Sequence, residues 1–179
     1  MIAQILVSGV AVGGMALAAP ALAAAEAMDT PVPETVNTAS ALPVSCSSSG
    51  GTSMTIVDGV NACGSESDPS GIANAYGLGG VGYAKAVAGA MAIGVGLDGG
   101  VGASEGSGGI PAAIGVGPGS VAITSVSHGA LSIAIALNNS QALAADADQG
   151  VICQGVNALA WNVQAGRACI ATPAGIWML

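Results

Sequence analysis

The sequence predicts a mostly β fold built from a short-strand repeat, and three observations predict it. Glycine recurs every ten residues at Gly79, Gly89, Gly99, Gly109, Gly119 and Gly129, with Asn139 next in the series. Asn is the usual substitute where a backbone takes positive φ. Between these markers, large and small residues alternate with a period of two, which is the β signature. Four cysteines stand outside the marker run, two on each side of it. A fixed period is the mark of a repeat architecture, and paired cysteines would staple it.

The elements follow in chain order. Residues 2–22 are apolar and uncharged, and Ala21-Leu22-Ala23 fits a small-x-small cleavage site, so residues 1–23 read as a signal peptide. No Lys or Arg follows Met1 to form a charged n-region. Residues 24–45 read as a disordered linker, with Pro31, Pro33 and Pro43 and the acids Glu26, Asp29 and Glu34. Residues 46–179 then form a single β-rich domain, with an N-terminal disulfide cap (46–76), glycine-marked repeats (77–150) and a C-terminal disulfide cap (151–179). In the first cap, Met54-Thr55-Ile56-Val57 supplies β-formers and Asp58-Gly59 a turn, which predicts a disulfide-closed hairpin over 46–63.

Cys46, Cys63, Cys153 and Cys169 allow three connectivities. Sequential pairing, Cys46 with Cys63 and Cys153 with Cys169, is the favoured one, because each closes a short loop. Zinc does not fit: there is no C-x-x-C, and the lone His128 is remote from every Cys. The string at 154–158 (Gln-Gly-Val-Asn-Ala) echoes Asp58-Gly59-Val60-Asn61-Ala62, which suggests similar elements flanking the repeats.

Within the repeats, Val81, Met91, Val101, Pro111, Val121, Leu131 and Gln141 make one column. A small-residue column follows: Gly82, Ala92, Gly102, Ala112, Ala122, Ser132 and Ala142. The positions before the markers, including Asp98, Gly108, Pro118, His128 and Asn138, suit turns. Two arrangements fit. One is a β-solenoid-like stack in which each decad is a coil; the other is an antiparallel β-meander or sandwich with one strand and one turn per decad. A helical reading of the Ala-rich runs 84–95 and 130–147 is opposed by glycine at ten-residue spacing.

Composition limits the chemistry. The chain has 179 residues, two basic and ten acidic, for a net charge of −8, with 2% aromatics and no Phe. Nucleic acid needs clustered Lys and Arg, and this chain has only Lys85 and Arg167. No catalytic, cofactor or metal residues are assigned, and no enzyme is expected. Ser127-His128 lacks an orienting third group, and no G-x-S-x-G elbow exists. Asp146-Ala147-Asp148 lacks the later ligands of a calcium loop. The G-x-G-x-x-G at 77–82 lacks a βαβ setting. Trp161 lies between Cys153 and Cys169; packing on their disulfide is the favoured reading, and an exposed binding surface for sugars or partners is the other.

The secretory leader, the Ala/Gly/Val bias and the paired cysteines resemble uncharacterised small secreted Ala/Gly-rich envelope proteins of actinobacteria. Ser120-Val121-Ala122-Ile123 with Ala130-Leu131-Ser132-Ile133-Ala134 is also similar to the longer head repeats of trimeric autotransporter adhesins. The first resemblance implies export to the cell surface and no particular activity. The expectation is a secreted, non-enzymatic structural or surface-interaction protein of the cell envelope, self-associating or adhering, with no mature transmembrane helix. The alternatives are a binding module for a glycan, lipid or ordered surface, and an oligomeric envelope pore.

Overall fold

The computed structural model describes residues 42–146 and 148–179. The leader, and the linker through residue 41, lie outside the described residues; Val44 and Ser45, expected to end that linker, instead open the first strand, held by its pairing. The strands run β1 (Val44–Ser49), β2 (Ser53–Asp58), β3 (Asn61–Ser67), β4 (Ile72–Leu78), β5 (Val81–Val87), β6 (Met91–Leu97), β7 (Val101–Ser107), β8 (Ile110–Val116), β9 (Val121–Val126) and β10 (Leu131–Leu137). They continue with β11 (Gln141–Ala145), β12 (Val151–Gln154), β13 (Ala158–Asn162), β14 (Arg167–Thr172) and β15 (Gly175–Met178). Among the described residues there is no helix.

Successive strands from β3 to β11 alternate between two sheets. An eight-stranded sheet has the order β1-β4-β6-β8-β10-β13-β14-β15, and a seven-stranded sheet has the order β12-β11-β9-β7-β5-β3-β2. Alternate strands pair in parallel, β4 with β6 and β5 with β7 for example. The result is a β-solenoid of about four turns. A decad is half a turn, not a whole coil. Seven residues of strand and about three of turn leave the chain running backwards, so a return strand must be completed before a parallel neighbour can start. Antiparallel pairing is confined to the ends, where β1 lies on β4, β2 on β3, β12 on β11, β13 on β10, β14 on β13 and β15 on β14.

The markers sit at the corners between sheets. Gly79, Gly89, Gly99, Gly109, Gly119 and Gly129 have φ from 62° to 82°, and Asn139 has 63°. At most corners the preceding residue is left-handed too: Ala88, Asp98, Gly108, His128 and Asn138. Two consecutive positive φ values turn the chain tightly through the hand that strands favour. One corner breaks the column register. Only Gly108 and Gly109 separate β7 from β8, so β8 starts one residue early. Pro111 therefore points inward and Ala112 outward, the reverse of their expected columns. The parallel ladder of β6 with β8 begins only at Ile93–Ala112, past the proline that lacks an N–H. Gly106 leaves the space its ring fills.

The interior is narrow. Its side chains are almost all Gly, Ala, Ser or Thr, and the largest fully buried ones are Asn61, Thr124 and Pro111. Both disulfides form, Cys46–Cys63 and Cys153–Cys169. Each crosses from one sheet to the other, with Cα atoms 5.7 and 5.9 Å apart. Ordinary stacked sheets lie ~10 Å apart. The bridges occupy the two ends of one pair of columns. One column runs Cys46–Ala75–Gly94–Ala113–Ala134–Ala160–Cys169, and the other runs Cys63–Gly82–Gly102–Ala122–Ala142–Cys153. Between the bridges, backbone meets backbone. A methyl on Gly94 would strike the Tyr83 carbonyl of the other sheet, and one on Gly102 the Val95 carbonyl. Close contact of glycine Cα–H groups with such carbonyls is itself weakly favourable.

Polar side chains tie the corners to the neighbouring coil. The Asp68 carboxylate accepts from the N–H groups of Ala88 (2.6 Å), Gly71 (2.6 Å) and Ser70 (2.9 Å). These bonds, led by Ala88, hold its carboxyl below the usual carboxylate range. Buried Asn162 donates to the Ala145 carbonyl and accepts from Ala165 N–H. Ser140 Oγ accepts from the N–H groups of Val156 and Asn157. Across the first cap, Ser48 and Ser65 share a buried hydroxyl pair at 2.6 Å.

Candidate interaction surface

Because small residues take nearly all the inward positions, most of the larger apolar residues face outward. On the eight-stranded sheet they stack in register. One row runs Tyr76–Val95–Ile114–Ile135–Leu159–Ile170–Trp177, and a second runs Asn74–Ile93–Ala112–Ile133–Trp161–Ala168. Ile72, Met91, Ile110 and Leu131 begin their strands on the same side, each 41–46% exposed. Leu78, Leu97, Val116 and Leu137 form the last row. Asn74 interrupts the apolar array, and the outward serines of β1, Ser45 and Ser47, border it. Among the described residues no Asp, Glu, Lys, Arg or His occupies an outward position on β4, β6, β8, β10, β13 or β14.

The opposite face is mixed. Lys85 on β5 lies between Glu66 on β3 (3.9 Å) and Glu105 on β7 (3.8 Å), with Tyr83 beside them. Burial and then the negative charge of Glu66 raise the Tyr83 phenol above its ordinary pKa. Such half-exposed ion pairs contribute little stability. Their effect here is to put charge on one side of the slab and leave the other uncharged.

Trp161 does not pack on the disulfide. It neighbours Ile133 and Ala168 on the outward face, while Cys169, paired with Ala160, faces inward. Strand alternation puts adjacent residues on opposite sides, and that parity separates the indole from the bridge. Trp161 instead helps line an apolar groove of ~420 Å³ with Leu159, Val163, Ala168, Ile170 and Leu179. Trp177 lies farther along the same face, opposite Ile170.

The polar motifs serve the backbone. His128 is a left-handed corner residue with φ 61°. Ser127 donates its hydroxyl to Asp146 Oδ2 (2.8 Å), and Ser127 N–H donates to Asp146 Oδ1 (2.7 Å). Both carboxylate oxygens of Asp146 are thus engaged in holding one coil to the next. Among the described residues no three His, Cys, Asp or Glu side chains are grouped to hold a metal ion. The G-x-G-x-x-G at 77–82 is a corner between β4 and β5, with no helix after it. The echoed strings differ in structure: the first closes the β2–β3 hairpin, the second crosses from β12 in one sheet to β13 in the other. Asp58-Gly59 does form the hairpin turn, but the first disulfide joins β1 of the other sheet to β3.

No curated protein and no solved structure matches the chain. Among the described residues no helix is long and apolar enough to cross a membrane. The model of a family of unknown function, DUF6764, matches residues 6–172, and the chain therefore belongs to that family.

Proposed function

We propose that this is an exported, non-enzymatic structural or surface-interaction protein of the cell envelope, and that its working surface is the outer face of the eight-stranded sheet. The observation that carries this reading is the uncharged array of Ile, Leu, Val and Met across β4, β6, β8 and β10. Soluble monomers seldom leave contiguous apolar patches above a few hundred Å² open to water. The two disulfides are consistent with an oxidising, extracytoplasmic compartment. The scarcity of Lys and Arg opposes docking on anionic lipid or nucleic acid.

The experiment is retention on an alkyl-coated resin at high dilution. The wild-type chain should be retained. A chain with Ile114→Glu and Ile133→Glu, on the apolar face, should pass through, and Ile123→Glu, on the mixed face, should behave as wild type. Equal retention of all three would remove the reading. A second reading is a module that binds one apolar ligand. The groove beside Trp161 favours it, since its side chains are apolar apart from the Trp161 indole N–H.

A further inference from the structure

We propose that the apolar face is an isologous interface, and that its occupant is a second copy of this chain. The inference rests on the surface-interaction reading above and commits it to one partner. Three observations support a copy over a lipid surface or an unrelated protein.

The first is area. The seven strands from β4 to β15, spaced ~4.8 Å, span roughly 34 Å, and strands of seven residues are about 23 Å long. The shorter β13–β15 bring the footprint to about 700 Å². A stable interface of standard size buries ~800 Å² per partner. The second is charge. Each chain carries −8, and two such chains repel unless their charges are kept apart. The outward positions of β4, β6, β8 and β10 carry none, and the Glu66–Lys85–Glu105 group lies on the far side of the slab. Face-to-face contact therefore brings no charge from these strands into the contact. The third is the chemistry of the rows. Two-fold symmetry sets the same patch against itself. Rows of similar branched aliphatics are self-complementary in such an arrangement, and a partner of different chemistry is not needed to match them. An anionic membrane would demand basic residues at the rim; on the strands of this sheet the described residues offer only Arg167, at the inner parity of β14.

The test is the solution mass of the oxidised, exported protein by sedimentation equilibrium, from about 1 µM to about 100 µM, a range that spans micromolar dissociation constants. Tryptophan emission is followed over the same range, since Trp161 and Trp177 both lie on the face. The expected result is a twofold rise in mass with a blue shift in emission. Ile114→Glu with Ile133→Glu should hold the mass at one copy across the range, with an unchanged circular dichroism spectrum. Ile123→Glu should dimerise as wild type. A wild-type chain of one-copy mass throughout overturns the dimer; if it is still retained on the alkyl resin, the broader reading survives. One-copy mass with shielded tryptophans would assign the face to the N-terminal segment and overturn it too. So would a one-copy chain that sediments with neutral phosphatidylcholine vesicles. Assemblies that persist in the double variant would place the contact elsewhere, at the open edge of β15 for example.

Discussion

Replacing Gly94 with Ala adds one methyl to the centre of the slab. The new Cβ would lie 2.6 Å from the Tyr83 carbonyl carbon and 2.9 Å from the Gly102 carbonyl oxygen, with the Tyr83 oxygen closer still. All three atoms are backbone, so no side chain can rotate away. The sheets must spread, although parallel ladders on both sides of β6 and the two cross-sheet disulfides resist it. Overpacking of this kind costs about 1–3 kcal/mol, and three backbone contacts place Gly94→Ala near the top of that range. At about 4 °C per kcal/mol for a domain of this size, the melting temperature falls by roughly 12 °C. Gly89→Ala is the control. Its φ is 79°, but nothing lies within 4 Å of its added Cβ, so it bears only the left-handed backbone cost of about 1–2 kcal/mol. Urea unfolding of the oxidised protein gives both values from midpoints and slopes. If Gly94→Ala costs no more than Gly89→Ala, the sheets are not in backbone contact and the account of the interior is wrong.

Other outcomes follow from the same packing. Among the described residues the buried hydroxyls of Ser104, Thr124 and Ser132 have no hydrogen-bond partner; Ser104→Ala should raise the urea midpoint by the equivalent of about 1 kcal/mol, and a fall would mean that a partner exists. Cys46→Ala with Cys63→Ala leaves side chains that the neighbouring columns already accept, so the loss should be loop entropy alone, about 3 kcal/mol; mass spectrometry would check that the Cys153–Cys169 bridge persists. Asp68 has a lowered carboxyl pKa in the folded chain, so its contribution is present above the unfolded value near 3.9 and is lost as pH falls through the lower folded value. The stability difference between wild type and Asp68→Asn should therefore shrink on acidification below about pH 4, and a difference that is constant from neutral pH down to pH 2 would contradict the hydrogen-bond assignment.

The period, the corner chemistry and the staples were legible from residue types alone. Gly99 following Asp98 announces a tight turn wherever it occurs, and the small column through Gly82, Gly102 and Ala122 marks an inward face that needs no alignment to see. The number of strands per coil was not legible. Decads look alike whether they stack on their neighbour or on the next but one, because small residues occupy the inner face of both sheets. The clue lay in the outward residues: Val81, Val101 and Val121 match one another, twenty residues apart, and Met91 and Leu131 belong to the other sheet. The register change at Pro111 was hidden because Ile110 and Pro111 are both bulky, and only the length of the Gly108-Gly109 corner decides which one faces in. Trp161 was misplaced through proximity in sequence to two cysteines, where strand parity governs.

The alternation of sheets also limits how such a chain can change in length. Adding twenty residues inserts one full coil, lengthens the slab by ~4.8 Å and adds one strand to each face without altering its character. Adding ten sends every later strand to the opposite sheet. The aliphatic rows would then continue onto the charge-bearing side, and the Cys153 and Cys169 ends of the interior columns would exchange sheets. Viable insertions and deletions within the coils should thus come in even numbers of decads, a rule of inheritance written by the geometry of the corners.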